Sequence, residues 1–242
     1  MKLPDKTYLT LECKLNESDF ECTRQAKPLR IMQLLQDAAT EHGEEIGVGW
    51  NALDRNGMLW VLSKIKITFD VPVTKENGRF TLYTWPLAPN RFFAERCFAA
   101  VGDRQLFSAT SMWSMISKTE RKILPATIMN NMFRGEYSSI HCDTSADFAR
   151  VRLDDSFRLA YDTTVFRSDL DQNGHVNNTN YVNYALNVLD TQEKIKGIEI
   201  VYHKELKLGE KLQVYYNHEI DCVSVVGMRQ DEICFTALLT LF

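Results

Sequence analysis

Asp171, Asn173 and His175 stand at alternate positions in the run Asp169-Leu-Asp-Gln-Asn-Gly-His-Val-Asn-Asn-Thr-Asn-Tyr181. An acid, an amide and an imidazole this close together can orient a water molecule and take its proton. Imidazole suits the task, because its unperturbed pKa of about 6.5 lets it accept or donate near neutrality. Apolar residues at helical spacing follow at once: Tyr181, Tyr184, Ala185, Val188 and Leu189. A polar loop therefore runs into the N-terminus of a buried helix near 177–189. Helix starts carry unpaired N–H groups and a partial positive charge, which can polarise a carbonyl. A structural reading stands beside the chemical one. Asp-Gln-Asn-Gly is also turn chemistry, and Asn177 and Asn178 suit a helix N-cap.

The loop resembles the signature of the fatty acyl-ACP thioesterases, which reads Asp-x-Asn-x-His-Val-Asn-Asn and leads into a helix opening on Tyr. Asp171, Asn173, His175, Val176, Asn177, Asn178 and Tyr181 match it. Plant members of that family carry a later strand with Tyr-x-x-Glu-Cys. Here the run is Tyr202-His203-Lys204-Glu205-Leu206, so Glu205 matches the acid and Leu206 replaces the cysteine. The resemblance implies hydrolysis of the thioester of fatty acyl-[acyl carrier protein], with Asp171, Asn173, His175 and Glu205 as catalytic residues. It implies no cofactor. Leucine is not a nucleophile, so direct attack by an activated water is favoured over an acyl-enzyme. The thioester carbonyl is expected to rest on backbone N–H groups near Gly174 to Asn178. Whether Asp171 or Glu205 is the base stays open. No metal is expected, because His42, His141, His203 and His218 form no cluster at ligand spacing.

These residues need elements to hold them, and the chain states one pattern twice. In the first half, Ile31, Leu35, Ala38, Ala39, His42 and Ile46 make a helical stripe between Pro28 and the pair Gly47 and Gly49. Strands follow at 59–73, 79–86, 91–102 and 105–117, with Ile65, Ile67, Phe69 and Val71 on one face. In the second half the helix near 177–189 precedes strands at 197–206, 211–219, 220–228 and 232–242. One long helix followed by antiparallel strands is the order of a hotdog fold. The expected class is α+β, with two tandem hotdog units at 1–117 and 157–242. Residues 118–156 form a charged linker that packs on the sheets, with a short helix near 126–134. Laying the helices in register puts Arg24, Ala26 and Pro28 against Asp171, Asn173 and His175, and laying the strands in register, with Ile65 against Ile198, puts Pro72 against Glu205. On that register the first half lacks the polar residues. It is expected instead to wall an acyl tunnel, with Met32, Leu35 and Trp60 as substrate-binding candidates beside Met112 and Met115.

Composition narrows the partners. A net charge of −4 gives no support to nucleic-acid binding, which usually needs a basic face. No stretch nears the roughly 18 apolar residues of a membrane span, and the first ten residues lack the apolar core of a secretory signal. The six cysteines form no C-x-x-C pair, so free thiols in a reducing cytoplasm are expected. The resemblance implies acyl carrier protein as partner. That protein is acidic, and Lys204, Lys207 and Lys211 surround Glu205. A monomer and a homodimer are both open. An acyl-CoA thioesterase, a dehydratase and a non-catalytic acyl-binding hotdog module are the competing readings. The intact polar set at 171–175 and 205 argues against the last.

Overall fold

The computed structural model of the protein describes residues 3–242. Pro28 at the first turn and Gly47 just past the end bound the long helix α1 (Pro28–Glu45). Gly47 takes a positive φ of 78°, the left-handed conformation that closes a helix and that glycine adopts without steric cost. A short helix α2 (Trp50–Arg55) follows. The remaining first-half elements are strands β1 (Leu9–Lys14), β2 (Met58–Phe69), β3 (Arg79–Pro86), β4 (Ala94–Val101), β5 (Gln105–Ser117) and β6 (Ile123–Leu124). The rest of the chain supplies β7 (Arg158–Thr164), α3 (Tyr181–Leu186), β8 (Ile195–Tyr202), β9 (Lys211–His218), β10 (Cys222–Arg229) and β11 (Glu232–Leu241).

All the strands join one antiparallel sheet in the order β1-β3-β4-β5-β2-β8-β11-β10-β9-β7, with β6 on the flank of β5. The order reads the same from both ends once β1, β3, β4, β5 and β2 are matched to β7, β9, β10, β11 and β8, as two tandem hotdog units require. The seam is the β2–β8 pair, with Ile65 opposite Ile200 and Ile67 opposite Ile198. These four side chains are buried in one core shared by both halves, which also takes in Ile31, Met32, Leu35 and Ala38 of α1 and Val182 and Ala185 of α3. At the middle of the seam Lys66 lies opposite Glu199, and their side chains pair at 2.8 Å.

Within the segment 118–156, residues 126–134 pack against the end of α1 and against α2, and residues 138–149 pack on the face of the sheet turned away from α1. Trp85 Nε1 donates to the Ile140 carbonyl at 2.7 Å, Cys142 lies against Cys97 and Ala99, and Lys66 donates to the Asp147 carbonyl at 2.9 Å. Its short helix is a 3-10 turn at Ala126–Asn131. The second-half helix is also shorter than its apolar stripe suggests. A 3-10 turn (Asn178–Asn180) leads into α3, which ends at Leu186. A six-residue helix has little macrodipole, so the polarising helix start expected from the stripe is weak here.

Candidate active site

The polar loop is built around the Asp171 carboxylate. Its Oδ1 accepts the backbone N–H of Asn173 at 2.8 Å and of His175 at 3.2 Å, and its Oδ2 accepts the Asn173 side-chain amide at 3.2 Å. Gly174 turns the chain at a φ of 78°, a conformation a residue with a Cβ adopts only with strain. The loop is clamped to its helix by Asn177, whose side chain caps Thr179, and by Asn180, whose side chain donates to the Asp169 carbonyl. Asn177 is thus the cap. Asn178 is not: its carbonyl accepts the Tyr202 hydroxyl at 3.0 Å.

Glu205 reaches the loop from the stretch that continues β8. Its Oε2 lies 3.4 Å from His175 Nε2 and 3.4 Å from Arg121 Nη2, the guanidinium coming from the β5–β6 connection. Tyr181, the first residue of α3, holds this stretch in place: its hydroxyl accepts the Leu206 N–H at 3.2 Å and lies 3.5 Å from the Lys204 carbonyl. Tyr181 is itself boxed edge-on by Tyr202 and Phe235, and burial pushes its hydroxyl well above the usual tyrosine range. Leu206 is fully buried in the shared core. A nucleophile at that position would be enclosed by packed apolar side chains.

Most of the backbone donors expected to hold a carbonyl are engaged within the protein. The N–H groups of Gly174, His175, Val176 and Asn177 donate to Asp171 O, Asp171 Oδ1, Leu206 O and Asp169 O. Asn178 N–H has no protein acceptor among the described residues.

Beside the loop opens a cavity of about 490 Å³. Asp171, Asn173 and Asn178 line its mouth, and the first half forms its walls through Ala39, Thr40 and Gly43 of α1, Trp60 of β2, Trp113 of β5 and Arg96 of β4. His175 and Glu205 stand outside that lining, with the His175 ring about one-quarter exposed. Of the residues expected to bind substrate, Trp60 lines the cavity, and its indole N–H is held by the Val48 carbonyl at 2.9 Å. Met32 and Leu35 do not line it. Both are on the core-facing side of α1 and almost wholly buried, because the stripe that forms the helix is the same stripe that fills the core. The cavity instead uses Gln36, Ala39, Thr40 and Gly43, one step round the helix. Met115 packs in a second core beneath α2.

The register between the halves also differs from the helix alignment. Glu21 N–H donates to Gln25 O as Asp171 N–H donates to His175 O. Arg24 N–H donates to Glu21 O as Gly174 N–H donates to Asp171 O, and Ala26 N–H donates to Val73 O as Val176 N–H donates to Leu206 O. The counterparts of Asp171, Asn173 and His175 are therefore Glu21, Thr23 and Gln25, not Arg24, Ala26 and Pro28. The first half keeps a polar loop. The counterpart of Glu205 is Pro72, as the sequence alignment has it. Gln25 is only 5% exposed, and its amide bonds to both the N–H and the carbonyl of Ile195. That loop is sealed onto the start of β8.

The sequence matches the acyl-ACP thioesterase N-terminal domain over residues 5–133 and the acyl-ACP thioesterase C-terminal domain over residues 152–238. It is 25% identical over 206 residues to the "Palmitoyl-acyl carrier protein thioesterase, chloroplastic" of Gossypium hirsutum, covering 76% of this chain and 48% of that protein. The chain thus spans about half the length of the curated relatives it matches. The acyl-ACP thioesterase of Bacteroides thetaiotaomicron superposes with a TM-score of 0.80 at 20% identity, over 98% of each chain. The 12:0-ACP thioesterase of Umbellularia californica gives 0.79 at 16% identity, over 98% of this chain and 97% of that one. These structures share the fold. By the two matched domains, which take in most of its length, the chain belongs to the acyl-ACP thioesterase family.

Proposed function

We propose that the protein hydrolyses the thioester of fatty acyl-[acyl carrier protein], releasing a free fatty acid. The observation that carries the reading is the His175–Glu205 pair, 3.4 Å apart, with His175 on the loop that lines a cavity through Asp171 and Asn173 and with buried Leu206 at the position next to Glu205. Glu205 is the better base of the two carboxylates. Both Asp171 oxygens already accept loop hydrogen bonds, whereas Glu205 faces the imidazole. Glu205 takes a proton from water, with His175 orienting it. The water oxygen attacks the thioester carbon, and the carbonyl oxygen gathers charge near the Asn178 N–H and the Asn173 amide. When the tetrahedral species collapses, the C–S bond breaks and the thiolate leaves. A thiol with a pKa of about 8.5 needs little acid assistance. The proton held by Glu205 passes back to the thiolate through His175, 3.4 Å away, which restores both groups.

In this division the unit through residue 117 supplies the acyl walls and the unit from 157 supplies the acid–base groups. Acyl carrier protein would dock over the exposed side chains around Glu205, where Lys204, Lys207 and Arg121 offer positive charge beside the exposed Leu208. Turnover on acyl-ACP and acyl-CoA of equal chain length, followed by released fatty acid, tests the reading. Preference for the CoA ester, or no release from either, would overturn it.

A further inference from the structure

Among the described residues, Arg96 is a cation without a paired carboxylate in the wall of the acyl cavity. It points from β4 toward α1, is only 8% exposed, and lines the cavity. Its two bonds within the protein both come from Nη1, to His42 Nδ1 at 3.0 Å and to Thr84 Oγ1 at 3.1 Å. Neither partner is charged. Burial and the adjacent guanidinium push His42 down to about 3, so it stays neutral near pH 7. No carboxylate among the described residues pairs with Arg96, and Nε and Nη2 have no protein acceptor there. Its neighbour Glu95 also lines the cavity, but its carboxylate is engaged by Thr110 and lies 3.6 Å from His141 rather than at Arg96. Burying a guanidinium against neutral groups is costly, and burial already pushes Arg96 down to about 10. A cavity meant only for methylenes has no use for it.

The position is as informative as the charge. Arg96 lies opposite Ser111 of β5, and Ser111 lies opposite Ile65 of β2. Glu205 hangs from the end of β8, on the far side of β2. Three inter-strand steps separate β4 from β8, roughly 14 Å. Arg96 therefore springs from a strand well removed from the one that carries Glu205, while sharing a cavity with Asp171 and Asn173.

We propose that the cavity selects acyl chains that carry a carboxylate remote from the thioester, and that Arg96 binds this group through Nε and Nη2. The geometry suits a guanidinium, which pairs with carboxylate through two parallel donors. The proposal rests on the acyl-thioester reading of the site.

The test uses two non-hydrolysable acyl-pantetheine amides of equal length, one ending in methyl and one in carboxylate, titrated into the full chain by calorimetry. The carboxylate-ended probe should bind roughly 10-fold or more tightly, the scale of a charge-assisted hydrogen bond. Arg96→Met should abolish the difference, and Arg96→Lys should keep part of it. Should Arg96→Met fail to fold, the wild-type comparison decides alone. Equal affinity for the two probes, or tighter binding of the methyl-ended one, overturns the proposal. A third arm titrates free monocarboxylic fatty acid. If its affinity depends on Arg96 while the two probes bind alike, the guanidinium holds released product and the substrate assignment falls. The kcat/KM ratio of the matching acyl-ACPs separates the two levels. Arg96-dependent probe binding with no hydrolysis of any acyl-ACP would sink the hydrolase reading and leave the carboxylate site standing.

Discussion

At 3.4 Å, His175 Nε2 and Glu205 Oε2 can share a proton directly or through one water, and contacts of this kind tighten when substrate closes a site. Glu205→Gln and His175→Ala should each lower kcat by about 10² or more, the scale of a positioned acid–base group. Asp171 makes a different demand. Its Oδ1 accepts two loop N–H groups, a task an amide oxygen also performs. Asp171→Asn should therefore lower kcat by less than about 10-fold, well short of a lost acid–base group. Steady-state kinetics on the three variants, with circular dichroism to check folding, ranks them. A loss in Asp171→Asn as large as that in Glu205→Gln would make Asp171 the base. The loop was legible because Asp171, Asn173 and His175 lie within five positions of one another, so no fold had to be known to bring them together. Arg121 was not legible. It sits in the charge run Lys118-Thr119-Glu120-Arg121-Lys122, which reads as solvated surface, and it meets Glu205 only because β5 turns back beside the end of β8.

Helix α1 serves two masters, the core on one side and the cavity on the other. Ala39→Leu or Thr40→Leu adds bulk to the cavity wall and should shift the product profile toward shorter acyl chains. Met32→Ala and Leu35→Ala should leave that profile in place and instead cost about 2–5 kcal/mol of stability, the range for emptying a packed core site. Chain-length profiles and urea midpoints read the two outcomes, and a shifted profile in the core variants would mean the tunnel runs deeper than the cavity. His42 on the same helix ties stability to pH. Its pKa is held at about 3 in the fold and returns toward 6.5 in the unfolded chain. Between those values the unfolded state binds a proton that the native state does not. Stability is therefore complete above pH 6.5 and falls as pH drops toward 3. His42→Gln keeps an acceptor for Arg96 but cannot titrate, so its urea midpoint should decline less than that of wild type between pH about 7.5 and about 5. Parallel declines would place the acid sensitivity elsewhere. Among the strands, β3 and β5 could be read to the residue, because turn residues flank long runs. The edge strands were missed for different reasons. β1 alternates Leu9, Leu11 and Cys13 with polar residues, a usable signal in a short run. β7 is mostly exposed, and a bulge between Leu159 and Tyr161 breaks its alternation.

On the scale of the molecule, duplication supplied two loops and the fold uses them unequally. Aligning the two halves by their apolar stripes placed the first loop three residues late; in the fold Pro28, the first residue of α1, corresponds to Asn178, the first residue of the 3-10 turn that leads into α3. The true register is marked by Arg24 and Gly174, which both adopt positive φ, at 64° and 78°. Arginine is not a turn residue, so nothing in its type announces the turn. Once the register is set, Glu21, Thr23 and Gln25 look able to repeat the chemistry, and two features prevent it. Pro72 stands where Glu205 would be needed. Gln25, in the place of His175, is locked to both polar groups of Ile195 and so stitches the first loop to the second half of the sheet. Pro72→Glu would therefore supply a carboxylate without an imidazole or an open cavity, and it should create no second site. Calorimetric titration of the wild type with a non-hydrolysable acyl-pantetheine amide should count one ligand per chain, and so should titration of Pro72→Glu. His175→Ala should remove nearly all turnover rather than half of it. A stoichiometry of two, or half the wild-type rate surviving in His175→Ala, would mean that the first loop opens in solution and that the seal at Ile195 is not what separates the halves.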